Sequence, residues 1–334
     1  MWRRAPCSRY GTQVKLSERS RRCPAEVAAT FRQFSRAEGV LLESYEHATD
    51  DFLLATFIYA PSLRFLDLTA CSALKSVRGL GACRCLEVLV LNECDSLEDI
   101  SGLGGCTRLR ALELQNCSAL DDVSGAAELG RCLQSLDLMG AAVGRAELNC
   151  SRLRKILQPG EVRFVNTYSL SASYPRWLGR KLPLVDEGGG GGGEMASARG
   201  VECLAACEAL TSLDLSCTDV SDRALAALVL GWEERRAGAG AGEGGGQGGK
   251  PPPLRSLNLQ RCLFVMNSVL PLAEACSHLE RLDLEDSGLL AEADAVRSAS
   301  ASARRYLARL EELGFVREWV KDGGEDGMFV RQCA

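Results

Sequence analysis

The sequence predicts an α/β solenoid, in which short strands stack side by side into one parallel sheet and each strand returns through an extended or helical segment on the opposite side. Three observations predict it. Leucines recur with a period of 23 residues, apolar and polar residues alternate inside each short leucine run, and cysteines occupy fixed places in the same period. The chain has 334 residues, of which 46% are hydrophobic, so it can bury a sizeable core. A stacked array uses that length as one continuous body where compact domains would need two or three.

The repeat is clearest between residues 63 and 131. Leu63, Leu66, Leu68, Cys71, Leu74, Val77, Gly79, Leu80 and Cys83 recur as Leu86, Leu89, Leu91, Cys94, Leu97, Ile100, Gly102, Leu103 and Cys106. A third copy runs through Leu109, Leu112, Leu114, Cys117, Leu120, Val123 and Gly125. Later copies start at Leu133, Leu210, Leu254 and Leu279. In Leu66-Asp67-Leu68 the alternation has the period of a half-buried strand, so the leucines point to one side. One unit cannot bury its leucines alone, and neighbours must stack to cover them.

The run L-x-x-L-x-L-x-x-C resembles the leucine-rich repeat family in its cysteine-containing variety, over roughly residues 39 to 290. The resemblance implies a leucine-rich repeat solenoid with a curved, parallel concave sheet. The 23-residue units are similar to repeats of adenylate cyclase regulatory proteins, which implies a short extended return. The later units resemble repeats of F-box substrate receptors, which implies a helical return. In the sequence itself Ser221 is a candidate helix N-cap, with Leu225, Leu228 and Val229 on one face of the helix that follows. Thr49-Asp50-Asp51 ahead of Phe52 reads the same way, which makes Val40 to Ser44 a further, degenerate strand. Val162 to Val165 is a weaker strand candidate within the least regular stretch, 142 to 186.

Two glycine-rich tracts, near 187–194 and 236–253, interrupt the array. Such tracts behave as flexible coil, and a solenoid tolerates them as loops from one face. Removing the second would bring Leu210 and Leu254 close to one normal repeat apart. Residues 291–334, with Leu307, Leu310, Leu313, Phe315 and Trp319, are expected to form a helical cap and tail over the last repeat. The first 36 residues hold nine Lys or Arg against Glu18 and Glu26, and residues 1–38 are expected to be a disordered basic leader. That leader also resembles an organellar transit peptide, the alternative to a cytoplasmic location.

The net charge of −5 lacks the basic surplus of a protein dominated by phosphate contacts, so nucleic acid is not the expected partner. No apolar run approaches the roughly 20 residues of a membrane-spanning helix, so no membrane role is expected. Eight of the sixteen cysteines fall on two repeat positions: Cys71, Cys94, Cys117 and Cys262, and Cys83, Cys106, Cys207 and Cys276. A thiol there fits as a small buried hydrophobe whose weak donor meets a loop carbonyl. No C-x-x-C pair provides zinc ligands, and the two histidines, His47 and His278, lie in separate repeats without a local catalytic motif. P-loop, zincin and nucleophile-elbow motifs are absent from the sequence. No cofactor, metal or enzymatic activity is therefore expected.

The candidate site is the concave face. Between the second and third leucines of each strand stand Asp67, Val90, Glu113, Asp137, Asp214, Asn258 and Asp283, five of the seven carrying a carboxylate. In a regular array they either form an acidic stripe that attracts a basic protein or peptide or simply solvate the sheet as screened surface charges. Asn92, Gln115, Met139 and Glu285 lie two residues further along and extend the face, mixing apolar anchors with polar groups as protein interfaces do. The expected function is a non-enzymatic interaction scaffold or adaptor. The family resemblances add two alternatives, a substrate-recognition subunit of a ubiquitin ligase and a regulator of a signalling enzyme such as an adenylate cyclase.

Overall fold

The computed structural model of the chain describes residues 3–8, 11–15, 24–33, 36–58, 60–143, 201–238, 252–290, 301–319 and 325–331. Eight three-residue strands form the parallel body of the sheet. They are β3 (Gly39–Leu41), β4 (Phe65–Asp67), β5 (Val88–Val90), β6 (Ala111–Glu113), β7 (Ser135–Asp137), β8 (Ser212–Asp214), β9 (Ser256–Asn258) and β10 (Arg281–Asp283). The register follows the repeat: Val40, Leu66, Leu89, Leu112, Leu136, Leu213, Leu257 and Leu282 are paired in sequence along the sheet. All eight side chains are buried, as the period-2 alternation requires.

The strands are short because each chain turns inward at one position. Three residues after the last member of every strand stands a residue with positive φ, between 52° and 67°: Ser44, Ala70, Glu93, Asn116, Gly140, Cys217, Arg261 and Asp286. This left-handed residue ends the strand and directs Cys71, Cys94, Cys117 or its equivalent into the core.

Behind the sheet, the returns differ along the array. In the 23-residue units they contain 3-10 turns, at Arg78–Ala82, Leu103–Gly105 and Ser124–Leu129, rather than the extended segments expected. Leu80, Leu103, Ala126 and Leu129 of these turns are buried against the core. Successive turns approach closely: a Cβ added at Gly105 would lie 2.0 Å from the Gly81 carbonyl oxygen. The helix expected after Thr49 is present as α2 (Asp50–Phe57), and the helical returns of the later units as α3 (Asp222–Gly238) and α4 (Val269–Ala275), α1 being the helix Pro24–Gln33 near the N-terminus. Thr49 caps α2, its Oγ1 accepting from Phe52 N at 3.3 Å, and Ser221 Oγ accepts from Ala224 N at 3.4 Å at the start of α3. Leu225, Leu228 and Val229 are buried, on the face the spacing assigns to the core.

The ladder continues across both interruptions. β7 pairs directly with β8 although residues 138–211 lie between them, and β8 pairs with β9 although the second glycine tract lies between those two. Val162 to Val165 and both glycine-rich cores lie outside the described residues.

Both ends of the sheet differ from expectation. Residues 1–38 are read from charge as a disordered leader, but the structure places a hairpin, β1 (Arg3–Ser8) and β2 (Gly11–Lys15), before α1. β2 continues the parallel ladder, with Val14 opposite Val40, and Val27 of α1 is fully buried. Net charge does not report on this because an open sheet edge offers backbone partners to any neighbouring extended segment. At the other end, the expected helical cap is a helix plus a hairpin: α5 (Ala301–Glu312), β11 (Phe315–Trp319) and β12 (Glu325–Arg331). β12 runs antiparallel to β10, with Phe329 opposite Leu282, and Leu310, Phe315 and Phe329 are buried. Arg331 fixes this cap, its guanidinium 4.5 Å from the Phe315 ring centroid and donating to Ser277 O at 2.6 Å.

Candidate functional site

The strand register brings the candidate residues into line. Asp67, Val90, Glu113, Asp137, Asp214, Asn258 and Asp283 are successive partners across β4 to β10. All are half-buried except Val90, which is buried at 8% exposure. Asn92, Gln115, Met139 and Glu285, also half-buried, lie two residues beyond on the same side. The eleven residues thus share one face of the sheet.

Their side chains carry structural work that the sequence reading missed. Asp67 Oδ1 accepts from Thr69 N at 2.9 Å and from Thr69 Oγ1 at 2.7 Å. The backbone N–H two residues on is met in the same way at Asp137 (Met139 N, 3.0 Å), Asp214 (Ser216 N, 2.8 Å), Asn258 (Gln260 N, 2.9 Å) and Asp283 (Glu285 N, 3.0 Å). These are Asx turns, and each leads into the left-handed residue that ends its strand. Val90 and Glu113 cannot form that turn. In the Glu113 repeat the Gln115 N–H is met instead by Asn92 Oδ1 of the preceding repeat, at 2.9 Å. The signal was present in the sequence as an Asp or Asn three residues before the turn.

A second set of bonds runs between repeats. Asn92 Nδ2 donates to Glu113 Oε2 at 3.1 Å, Gln115 Nε2 to Asp137 Oδ2 at 2.7 Å, and Asn258 Nδ2 to Asp214 Oδ2 at 2.9 Å; the Gln260 amide meets the Glu285 carboxylate. Amides orient these carboxylates without neutralising them. Burial pushes the Asp137 carboxyl above the ordinary range, and the neighbouring Asp214 charge adds to this against the bonds from Gln115 and Met139.

Three further carboxylates brace the opposite side. Asp50 Oδ1 accepts from Lys75 N and Ser76 N, Glu128 Oε2 from Gly102 N and Gly104 N, and Asp222 Oδ1 from Met266, Asn267 and Ser268 N, the last three at 2.9 Å. Each ties one return to the backbone of a neighbouring repeat. No periodic pattern marks them, because the returns change length along the chain.

The cysteines form the ladder their spacing suggests. The Sγ atoms of Cys71, Cys94, Cys117 and Cys262 donate to the carbonyls of Leu42, Leu68, Leu91 and Leu215 at 3.0 to 3.3 Å, each linking a repeat to the one before it. Cys106 and Cys207 reach Leu80 O and Ala126 O likewise. Desolvation pushes the thiols of Cys71, Cys117 and Cys262 up to about 12, far from the thiolate that nucleophilic or metal chemistry needs. Among the described residues no three His, Cys, Asp or Glu side chains group as metal ligands, and no helix is long and apolar enough to cross a membrane. His47 lies edge-on to Tyr45, with ring centroids 5.7 Å apart.

Residues 206–229 match the family described as leucine-rich repeat. No curated protein matches the chain. Among solved structures, an internalin of Listeria monocytogenes is 15% identical over 74% of this chain and 46% of that one, with a TM-score of 0.41. Internalin C2 of the same organism is 13% identical over 78% and 84% of the two chains, with a TM-score of 0.44. A leucine-rich repeat protein of Leptospira interrogans is 13% identical over 79% and 70%, with a TM-score of 0.22. The chain spans less than half the length of the first of these. The in-register ladder of eight strands, the alternating turns and helices behind it and the match over 206–229 make the fold a leucine-rich repeat solenoid.

Proposed function

We propose that the chain is a non-enzymatic scaffold or adaptor that docks a protein or peptide on the open face of its sheet. One observation carries this reading. The residues of β4 to β10 that do not enter the core stand in unbroken register, so apolar and hydrogen-bonding groups are displayed at a spacing of about 4.8 Å on a rigid support. Affinity then spreads over several repeats, with a few apolar anchors surrounded by polar groups. The thiols of Cys71 and Cys262 lie in the core rather than on this face, and side-chain amides bond the carboxylates of Asp137 and Asp214, which favours binding over catalysis.

The test is affinity purification from cells with the tagged full chain and a variant carrying Asp67→Asn, Glu113→Gln, Asp137→Asn, Asp214→Asn and Asp283→Asn. Asparagine keeps the turn acceptor that the structure requires and removes the charge. A set of proteins retained by the native chain and lost from the folded variant supports the reading. Identical sets from both would move binding off this face.

A further inference from the structure

The open face is not uniform along the solenoid, and its two halves differ in chemistry. Over β3 to β6 one row of the register runs through Phe65, Val88 and Ala111, and Leu41 and Val90 of the adjacent row widen this apolar stretch. Two carboxylates flank it: Asp67, turned to the N–H and hydroxyl of Thr69, and Glu113, opposite Val90 on β6 and bonded by the Asn92 amide. Over β7 to β9 the first strand position is serine in every case, Ser135, Ser212 and Ser256, and the row beside it brings Asp137 opposite Asp214. Amides bond both of these carboxylates, but among the described residues no ion pair includes either one. Two like charges on adjacent strands are thus left without a cation, in a face already half removed from water.

We propose that this face takes an extended segment of a partner protein in which a pair of apolar side chains, seated over Val88 and Val90, is followed about four residues away by Lys or Arg facing Asp137 and Asp214. The proposal rests on the docking reading above and specifies its ligand. The spacing follows from geometry: β5 and β8 are three strands apart, roughly 14 Å at about 4.8 Å per strand, which an extended chain crosses in about four residues and a helix in about ten. Extended backbone suits the edge of this face, where Asn92 and Gln115 each use one amide N–H on a neighbouring carboxylate and carry a second. A helix has already satisfied its own main chain and gains nothing from those groups. Opposite charge at the far end supplies both attraction and direction.

The experiment measures fluorescence anisotropy of labelled synthetic peptides with the full chain, at low and at physiological salt. One peptide carries an apolar pair and a Lys-Arg pair four residues apart in a non-helical sequence. A second replaces Lys-Arg by Glu-Glu, and a third is a helical peptide with ten-residue spacing. The expected result is tightest binding of the first, at least tenfold weaker binding of the second, and a loss of about tenfold on raising the salt. Asp137→Asn with Asp214→Asn should remove the salt dependence, and Val88→Thr with Ala111→Ser should weaken binding while circular dichroism and Tm stay native. Equal binding of the first two peptides, preference for the helical one, or no binding of any would overturn the proposal. If none binds while the charge-neutral variant still loses its cellular partner, the docking reading stands and only the ligand assignment fails; if that variant loses nothing, both fail.

Discussion

The side-chain amide of Asn258 on β9 donates to Asp214 Oδ2 on β8 at 2.9 Å, while the other oxygen of Asp214 holds the N–H of Ser216 at 2.8 Å. One carboxylate therefore ends its own strand and fastens the next. Asp214→Ala leaves these two donors and the Ser216 hydroxyl, which also donates to Oδ1 at 2.6 Å, without that acceptor, an expected loss of about 1–3 kcal/mol. Asp214→Asn keeps the turn bond and loses only the bond between repeats, so it should cost clearly less. Urea unfolding of the two variants measures the difference, and equal losses would show that the turn bond contributes nothing.

Asp137 gives the fold a pH dependence of defined sign. Its carboxyl is held above the ordinary value in the folded chain, chiefly by burial, so the folded state binds the proton more tightly than the unfolded state. Below the ordinary carboxylate range the group is protonated in both states, and its contribution to stability is fully present. As pH rises through and above that range it ionises, at a cost to the folded state. Asp137→Asn should therefore raise stability more at pH 7 than at pH 4, read as the difference in unfolding midpoint between variant and native protein at the two values. A larger benefit at pH 4 would reverse the assignment.

The cysteine ladder predicts a sharp contrast in thiol reactivity. Cys71, Cys117 and Cys262 are buried with thiols pushed up to about 12, so they should resist a disulfide reagent at pH 8 in the native protein and react at once in urea. Mass spectrometry of the labelled sites distinguishes them from the half-buried Cys85 and Cys217, which should react sooner. Rapid native labelling of the ladder would contradict its burial.

The close approach of adjacent returns predicts unequal effects at two neighbouring glycines. A Cβ at Gly105 would meet the Gly81 carbonyl oxygen at 2.0 Å, a backbone atom that cannot move alone, whereas one at Gly104 first meets the Glu128 side chain at 3.2 Å. Gly105→Ala should cost about 1–3 kcal/mol through overpacking, and Gly104→Ala less, because Glu128 can shift. Thermal unfolding of both variants checks the order.

Much of this was legible in the sequence because it repeats. The buried leucines, the alignment of Asp67 through Asp283 and the thiol-to-carbonyl role of Cys71 all follow from a position that recurs with one environment. What was not legible lacks that recurrence. β2 joins β3 through backbone bonds that Gly11–Lys15 makes regardless of charge, and β12 pairs antiparallel with β10 beyond the last repeat. The candidate stripe was found from position alone, and its turn-forming role was missed because a surface aspartate looks the same whether it faces solvent or holds an N–H two residues on.

The most direct measurement of the central claim places a photo-crosslinking amino acid at Met139, on the open face beside Asp137, and in a second protein at Leu230, exposed on α3 behind the sheet. Irradiation in cells followed by purification should give a covalent protein adduct from Met139 and none from Leu230. Adducts from Leu230 alone would place binding on the returns and contradict the account.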